Sequence, residues 1–208
     1  FLSGPRQSGK TTLAKSLLKT GGAGKYYNWD DIEFRKLWRK SPKSTIFPGL
    51  NVFDEIHKAP KWKGVLKGIF DTLEIPAQIL VTGSARLNVY RKGGDSLMGR
   101  YLHFRLHPFS LGELLKSQAE SPDEVVEKIF NASSFGSGEE MRFLTELEQL
   151  GGFPEPLFEK NEDIARIWRM GRLEKIIRED LRDLSRLPEL SQVELLVTLL
   201  QERAGGQD

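Results

Sequence analysis

The sequence contains no cysteine. Disulfides and thiolate metal sites are therefore excluded, which suits a reducing compartment such as the cytoplasm. No apolar run approaches the roughly 18–20 residues that cross a bilayer, and no secretory leader is visible. An excess of one charge is also missing, since 31 Lys and Arg face 29 Asp and Glu, for a formal net charge of +2. Such a balance neither demands nor forbids a nucleic-acid partner. Histidine is scarce, at three residues. His103 and His107 are four apart, but their segment has strand character, which separates them by two pleats, and the neighbouring sequence offers no third ligand.

What is present suffices for a folded domain. The chain has 208 residues, 38% hydrophobic and 29% charged, enough for one large domain or one domain with a small lobe. Phe1-Leu2-Ser3 reads as the end of a strand, so a natural start upstream is expected. Strand-like runs follow at Tyr26–Trp29, Leu50–Phe53, Ile79–Thr82 and Tyr101–Leu106. Helical periodicity marks 9–20, with Leu13, Leu17 and Leu18 on one face, a segment capped by Asp30 or Asp31 and running to Lys40, and 60–73. This alternation predicts an α/β fold with a mainly parallel sheet. After Pro108 only helix-like segments recur, near 111–116, 123–130, 139–150, 162–179 and 189–202. The Ser/Gly-rich stretch 133–138 is the expected lobe boundary, giving spans of 1–132, 133–179 and 180–208.

Gly4-Pro5-Arg6-Gln7-Ser8-Gly9-Lys10-Thr11 follows the P-loop pattern, and a strand tail precedes it while a helix follows. Glycines let the backbone curl so that successive N–H groups face phosphate oxygens. The helix adds its positive end. Lys10 would meet the β- and γ-phosphates, the Thr11 hydroxyl would ligate Mg²⁺, and Thr12 would neighbour the α-phosphate. Val52-Phe53-Asp54-Glu55 is an apolar strand ending in two carboxylates, the pattern called Walker B. Alone it would pass for a solvated acidic strand end. Behind a P-loop, Asp54 becomes the expected Mg²⁺ ligand and Glu55 the expected general base that polarises water. The adjacent glutamate speaks for ATP hydrolysis and against phosphoryl transfer to a metabolite. Ser84 follows the next strand, and spacing leaves open whether it faces the γ-phosphate or caps a helix. Arg100 ends a short segment, where a surface salt bridge is the plainer expectation.

Taken together, Gly4-Pro-Arg-Gln-Ser-Gly-Lys-Thr-Thr, Asp54-Glu-Ile-His-Lys, Thr82-Gly-Ser-Ala, Leu97-Met-Gly-Arg100, Pro108-Phe-Ser and Gly151-Gly-Phe-Pro154 resemble the bacterial and archaeal AAA-type P-loop ATPases that carry a nuclease-like C-terminal domain. The resemblance implies an AAA+-type three-layer α/β/α sandwich, with one strand between the P-loop and Walker B strands. It also implies a helical lid and the start of a winged helix in 180–208. Ser84 would match a sensor, Arg100 an arginine finger acting on a neighbouring subunit, and Gly152 and Pro154 a nucleotide-contacting turn of the lid. Its implied partners are ATP or ADP with Mg²⁺, a further copy in a homo-oligomer, and DNA or protein through the C-terminal region. Two readings remain: an ATPase whose hydrolysis drives a conformational change, and a nucleotide-gated switch with little turnover. Trp62 and Trp168 read as core residues. The basic run Arg35-Lys36-Leu37-Trp38-Arg39-Lys40 reads as a solvated helix face, with phosphate contact beside Trp38 as the sharper alternative.

Overall fold

Parity along the strands decides which side chains meet above and below the sheet, because successive residues of a strand point to opposite faces. The computed structural model describes residues 1–83, 97, 99–115, 138–176, 192, 195–196 and 199–200. The strands are β1 (Leu2–Ser3), β2 (Gly24–Asn28), β3 (Gly49–Asp54), β4 (Ala77–Gly83) and β5 (Phe104–Arg105). They form one sheet in the order β2-β3-β4-β1-β5 with every pairing parallel. The P-loop strand β1 and the strand β3 that ends in Asp54 are therefore separated by β4, as the resemblance implies. Helices α1 (Lys10–Thr20), α2 (Ile32–Lys40) and α3 (Trp62–Asp71) connect the strands.

Register fixes the faces. Tyr27 pairs with Phe53 and Phe53 with Val81, so these three share one face. They pack with Phe34 and Trp38 of α2 and with Trp62, Leu66 and Ile69 of α3. The centre of this core is aromatic: Phe53 lies 5.6 Å from Tyr27, 5.9 Å from Phe34 and 5.4 Å from Trp38 between ring centroids. Offset and edge contacts of this kind add to the burial of apolar area. Trp38 is thus a core residue, only 4% exposed. It offers no stacking platform beside the basic run of α2. Trp62 is core as expected.

Several sequence expectations shift at the edges. Strand β2 stops at Asn28 because its side chain accepts from the Asp30 N–H and turns the chain. Asp31, rather than Asp30, then caps α2 by accepting from the Glu33 N–H. On α1 the inward row is Lys10 and Ala14, both buried. Leu13 and Leu17 remain 38% and 44% exposed. The phosphate loop sets the roll of this helix, so i, i+4 spacing from Lys10 selects the row that faces the sheet. Strand β5 is only Phe104–Arg105, since β1 offers it two pairing residues.

The chain divides into two compact units, Phe1–Glu113 and Leu114–Asp208. A short helix α4 (Leu111–Leu114) stands at the division. In the second unit, α5 (Gly138–Leu150), α6 (Pro154–Glu159) and α7 (Glu162–Lys175) bury Leu150, Leu157 and Ala165. The Phe153 and Trp168 rings meet at a tilt of 43° with centroids 5.0 Å apart, and the Arg172 guanidinium lies 4.1 Å from the Phe153 ring centroid. Pro154 at the first position of α6 marks a helix that periodicity missed. The expected helix at 123–130, the boundary loop up to 137 and most of 180–208 lie outside the described residues. No described helix is long and apolar enough to cross a membrane.

The aromatic centre makes a stability prediction. Phe53→Ala should cost about 3–5 kcal/mol, the range for a fully buried aromatic, read as a lowered midpoint in urea unfolding with an unchanged slope.

Candidate nucleotide site

All parallel strands end on one side of the sheet, and that edge is where α/β proteins bind ligands. The register aligns Asn28, Asp54 and Thr82 in one row there. The P-loop leaves the neighbouring β1 immediately after Ser3. Gly4 must be glycine on steric grounds: a Cβ would lie 2.2 Å from the Leu106 carbonyl oxygen. Gln7 takes φ 64° at the crest of the loop, and Gly9 takes φ 93° as the residue before α1. No side chain caps α1 at that end. Its first N–H groups and the positive end of its dipole are therefore presented by the loop itself. Ser8 Oγ is buried and has no hydrogen-bond partner among the described residues. Uncapped N–H groups beside an orphaned hydroxyl fit a phosphate. Lys10 Nζ folds over this loop and donates to the Pro5 carbonyl at 2.6 Å.

Asp54 is the hub. It is only 2% exposed. Thr11 Oγ1 donates to Asp54 Oδ2 at 2.8 Å, which joins the first turn of α1 to the tip of β3. Tyr26 OH donates to the same oxygen at 2.7 Å, and Thr82 Oγ1 donates to Oδ1. One buried anion thus gathers hydroxyls from three elements, and such charge-assisted bonds are the strong ones. Thr11 and Asp54 are both oxygen ligands of the kind Mg²⁺ prefers, so this pair fits a bound magnesium. Tyr26 carries no motif signal, and the Thr82-Gly-Ser-Ala run gave Thr82 no role of its own. They could have been found from the parallel register, which places both in the face parity of Asp54.

Glu55 follows in the left-handed region, at φ 58° and ψ 19°. Such conformations cost energy for a non-glycine residue and concentrate at functional sites. Its carboxylate lies 3.6 Å from His57 Nε2 and 3.7 Å from Lys58 Nζ. Lys58 also meets Asp30 at 2.9 Å. Burial raises the Glu55 pKa above the usual carboxylate value, Lys58 opposes this, Asp54 adds to it, and Lys10 and Arg6 oppose it. A general base benefits from such a shift, because its pKa moves toward working pH.

The remaining expected residues fall elsewhere. Pro5, Arg6 and Gln7 complete the loop, and Thr12 lies on the exposed side of α1. Ser84 lies outside the described residues. Arg100 Nε donates to Asp71 Oδ1 at 2.9 Å, in the surface salt bridge its position suggests. It borders a cavity with Gly49 and Ala77, the first residues of β3 and β4, at the end of the sheet away from Asp54. Gly152 and Pro154 belong to the second unit, Gly152 in the turn between α5 and α6 and Pro154 at the first position of α6. His103 Nε2 is hydrogen-bonded to Ser3 Oγ at 2.7 Å, a structural contact between β1 and the residue before β5.

The raised pKa of Glu55 has a stability consequence. A carboxyl whose folded pKa exceeds its unfolded value binds its proton more tightly when folded, so its ionisation lowers stability as pH rises through that window. Glu55→Gln should therefore raise the melting temperature at pH 7, with the gain vanishing below the ordinary glutamate pKa.

The AAA domain family has a sequence model that matches residues 1–115, more than half of the chain. Uncharacterized proteins of Mycobacterium tuberculosis and Mycobacterium bovis are each 24% identical over 189 residues, covering 90% of this chain and 37% of theirs. An uncharacterized protein of Haemophilus influenzae is 20% identical over 221 residues, covering 98% of this chain and 51% of its own length. The chain thus spans about a third to a half of the curated relatives it matches. With the phosphate loop, the strand order and the Asp54 hub in place, the matched span accounts for the α/β unit that builds the site: the chain belongs to the AAA domain family.

Proposed function

We propose that the protein binds ATP with Mg²⁺ and hydrolyses it to ADP and phosphate. The observation that carries this reading is the Thr11–Asp54 hydrogen bond beside an uncapped helix end, with the half-buried Glu55 next in sequence. The N–H groups of the loop and Lys10 would hold the β- and γ-phosphates. Thr11 and Asp54 would hold the magnesium, which supplies positive charge to the phosphate oxygens. Glu55 would take a proton from a water as its oxygen bonds to the γ-phosphorus. The bond from that phosphorus to the bridging oxygen breaks, and ADP leaves with that electron pair.

Arg100 would serve as a finger only toward a neighbouring copy, since its own site lies at the other end of the sheet. It would first have to leave Asp71. Gly152 and Pro154 would contact the nucleotide as part of a lid. A switch with little turnover is the second reading. It is supported by Lys58 and His57, which hold the Glu55 carboxylate close to its own loop.

Lys10→Ala should abolish detectable binding of a fluorescent ATP analogue. Glu55→Gln should retain that binding and lose about 10²–10⁴-fold in phosphate release, the usual contribution of a general base. If Glu55→Gln turns over at the normal rate, the assigned base is wrong. Tight binding without release in the unmodified protein would favour the switch.

The rate should also report the base directly. Phosphate release should fall on the acid side as Glu55 takes up its proton. A pH–rate profile taken at saturating Mg²⁺ reads this limb, which Glu55→Gln should erase. Specific activity that rises with protein concentration, and does not rise in Arg100→Ala, would support the finger.

A further inference from the structure

Residues of β2 lie outside every phosphate-binding pattern in this sequence, yet one of them reaches the hub of the site. Tyr26 pairs with Val52 in the parallel ladder, two residues before the pair Asn28 and Asp54. It therefore has the same face parity as Asp54. From there its hydroxyl donates to Asp54 Oδ2 at 2.7 Å. Two further contacts fix the ring and its oxygen. Lys15 of α1 places its ammonium 4.7 Å from the Tyr26 ring centroid, and Asn28 Nδ2 donates to the phenolic oxygen at 3.4 Å.

We propose that Tyr26 is a positioning residue for the magnesium ligand Asp54, holding its carboxylate for the cation from the side opposite the P-loop. The proposal rests on the ATP-binding reading above. Its physical basis is the distribution of donors around one anion. Oδ1 receives Thr82, while Oδ2 receives both Thr11 and Tyr26. On that reading Thr11 would itself be a ligand, and its hydroxyl would no longer be committed to Asp54. Tyr26 and Thr82 then remain as the two outer donors that fix the carboxylate plane. Outer partners of a metal-binding carboxylate orient it, and their loss usually weakens metal affinity about 10–100-fold.

The test compares wild type, Tyr26→Phe and Asp54→Asn, the last as a control for loss of the ligand. Affinity for a fluorescent ADP analogue is titrated in EDTA and across Mg²⁺ concentration, with melting temperature in EDTA as the check on folding. Tyr26→Phe should match wild type in EDTA, because the phosphate loop is intact. It should need about tenfold more Mg²⁺ to reach half of the magnesium-dependent gain in affinity. Phosphate release should show the same displacement, with a smaller change in rate at saturating Mg²⁺. A Tyr26→Phe titration superimposable on wild type, or shifted to lower Mg²⁺, would overturn the positioning role while leaving the ATP reading intact, provided Asp54→Asn still loses the magnesium gain. A wild-type protein that binds the analogue equally with and without Mg²⁺ would overturn the positioning role and the magnesium part of the reading, whereas one that fails to bind it at all would overturn the ATP reading itself. Because binding is the primary readout, an absence of hydrolysis does not blunt the test.

Discussion

A single buried carboxylate organises the nucleotide-binding end of this protein. Asp54 is almost inaccessible, and an isolated ionised carboxylate in such a place would be strongly disfavoured. Hydroxyls from α1, β2 and β4 satisfy it. Those hydroxyls are brought together by parallel strands in one register, and the register is held by the aromatic core on the far face. Phe53 anchors that core from the position immediately before Asp54. Strand parity therefore links packing to chemistry: Phe53 points into the apolar core, and the next residue points to the phosphate loop.

The same arrangement places cost where function is expected. Glu55 leaves the strand in a left-handed conformation and holds a partly buried carboxylate whose pKa burial pushes up. Both features disfavour the folded state locally and both suit a base. The ion pairs from Lys58 to Asp30 and Glu55 offset part of this cost. They also tie the residue after β3 to the loop after β2, so the conformation of Glu55 is coupled to the edge strand rather than to the phosphate loop alone.

Local chemistry was legible residue by residue. The phosphate loop, the acidic strand end and the parallel α/β class followed from glycine spacing, an apolar run and strand–helix alternation. The strand order followed from the resemblance. Trp62 was legible as core from helical spacing, while Trp38 was obscured by the cations around it. Its burial became plain only when α2 lay against β2 and β3. Leucine spacing grouped Leu13, Leu17 and Leu18 on one face of α1, but which row is buried, Lys10 and Ala14, depends on the roll that the phosphate loop imposes.

What the sequence alone determined is the set of groups to which the proposed reading gives phosphate and magnesium: a glycine loop with Lys10 and Thr11, and a carboxylate pair at a strand end. These are local patterns, and their chemistry depends on neighbours in the chain. The tertiary structure decided which distant groups complete the set. Tyr26 and Thr82 converge on Asp54 only through interstrand register, and Arg100 is turned away from its own site only through the sheet that separates the two ends. Register and face are properties of pairing between segments far apart in sequence, so no local pattern encodes them.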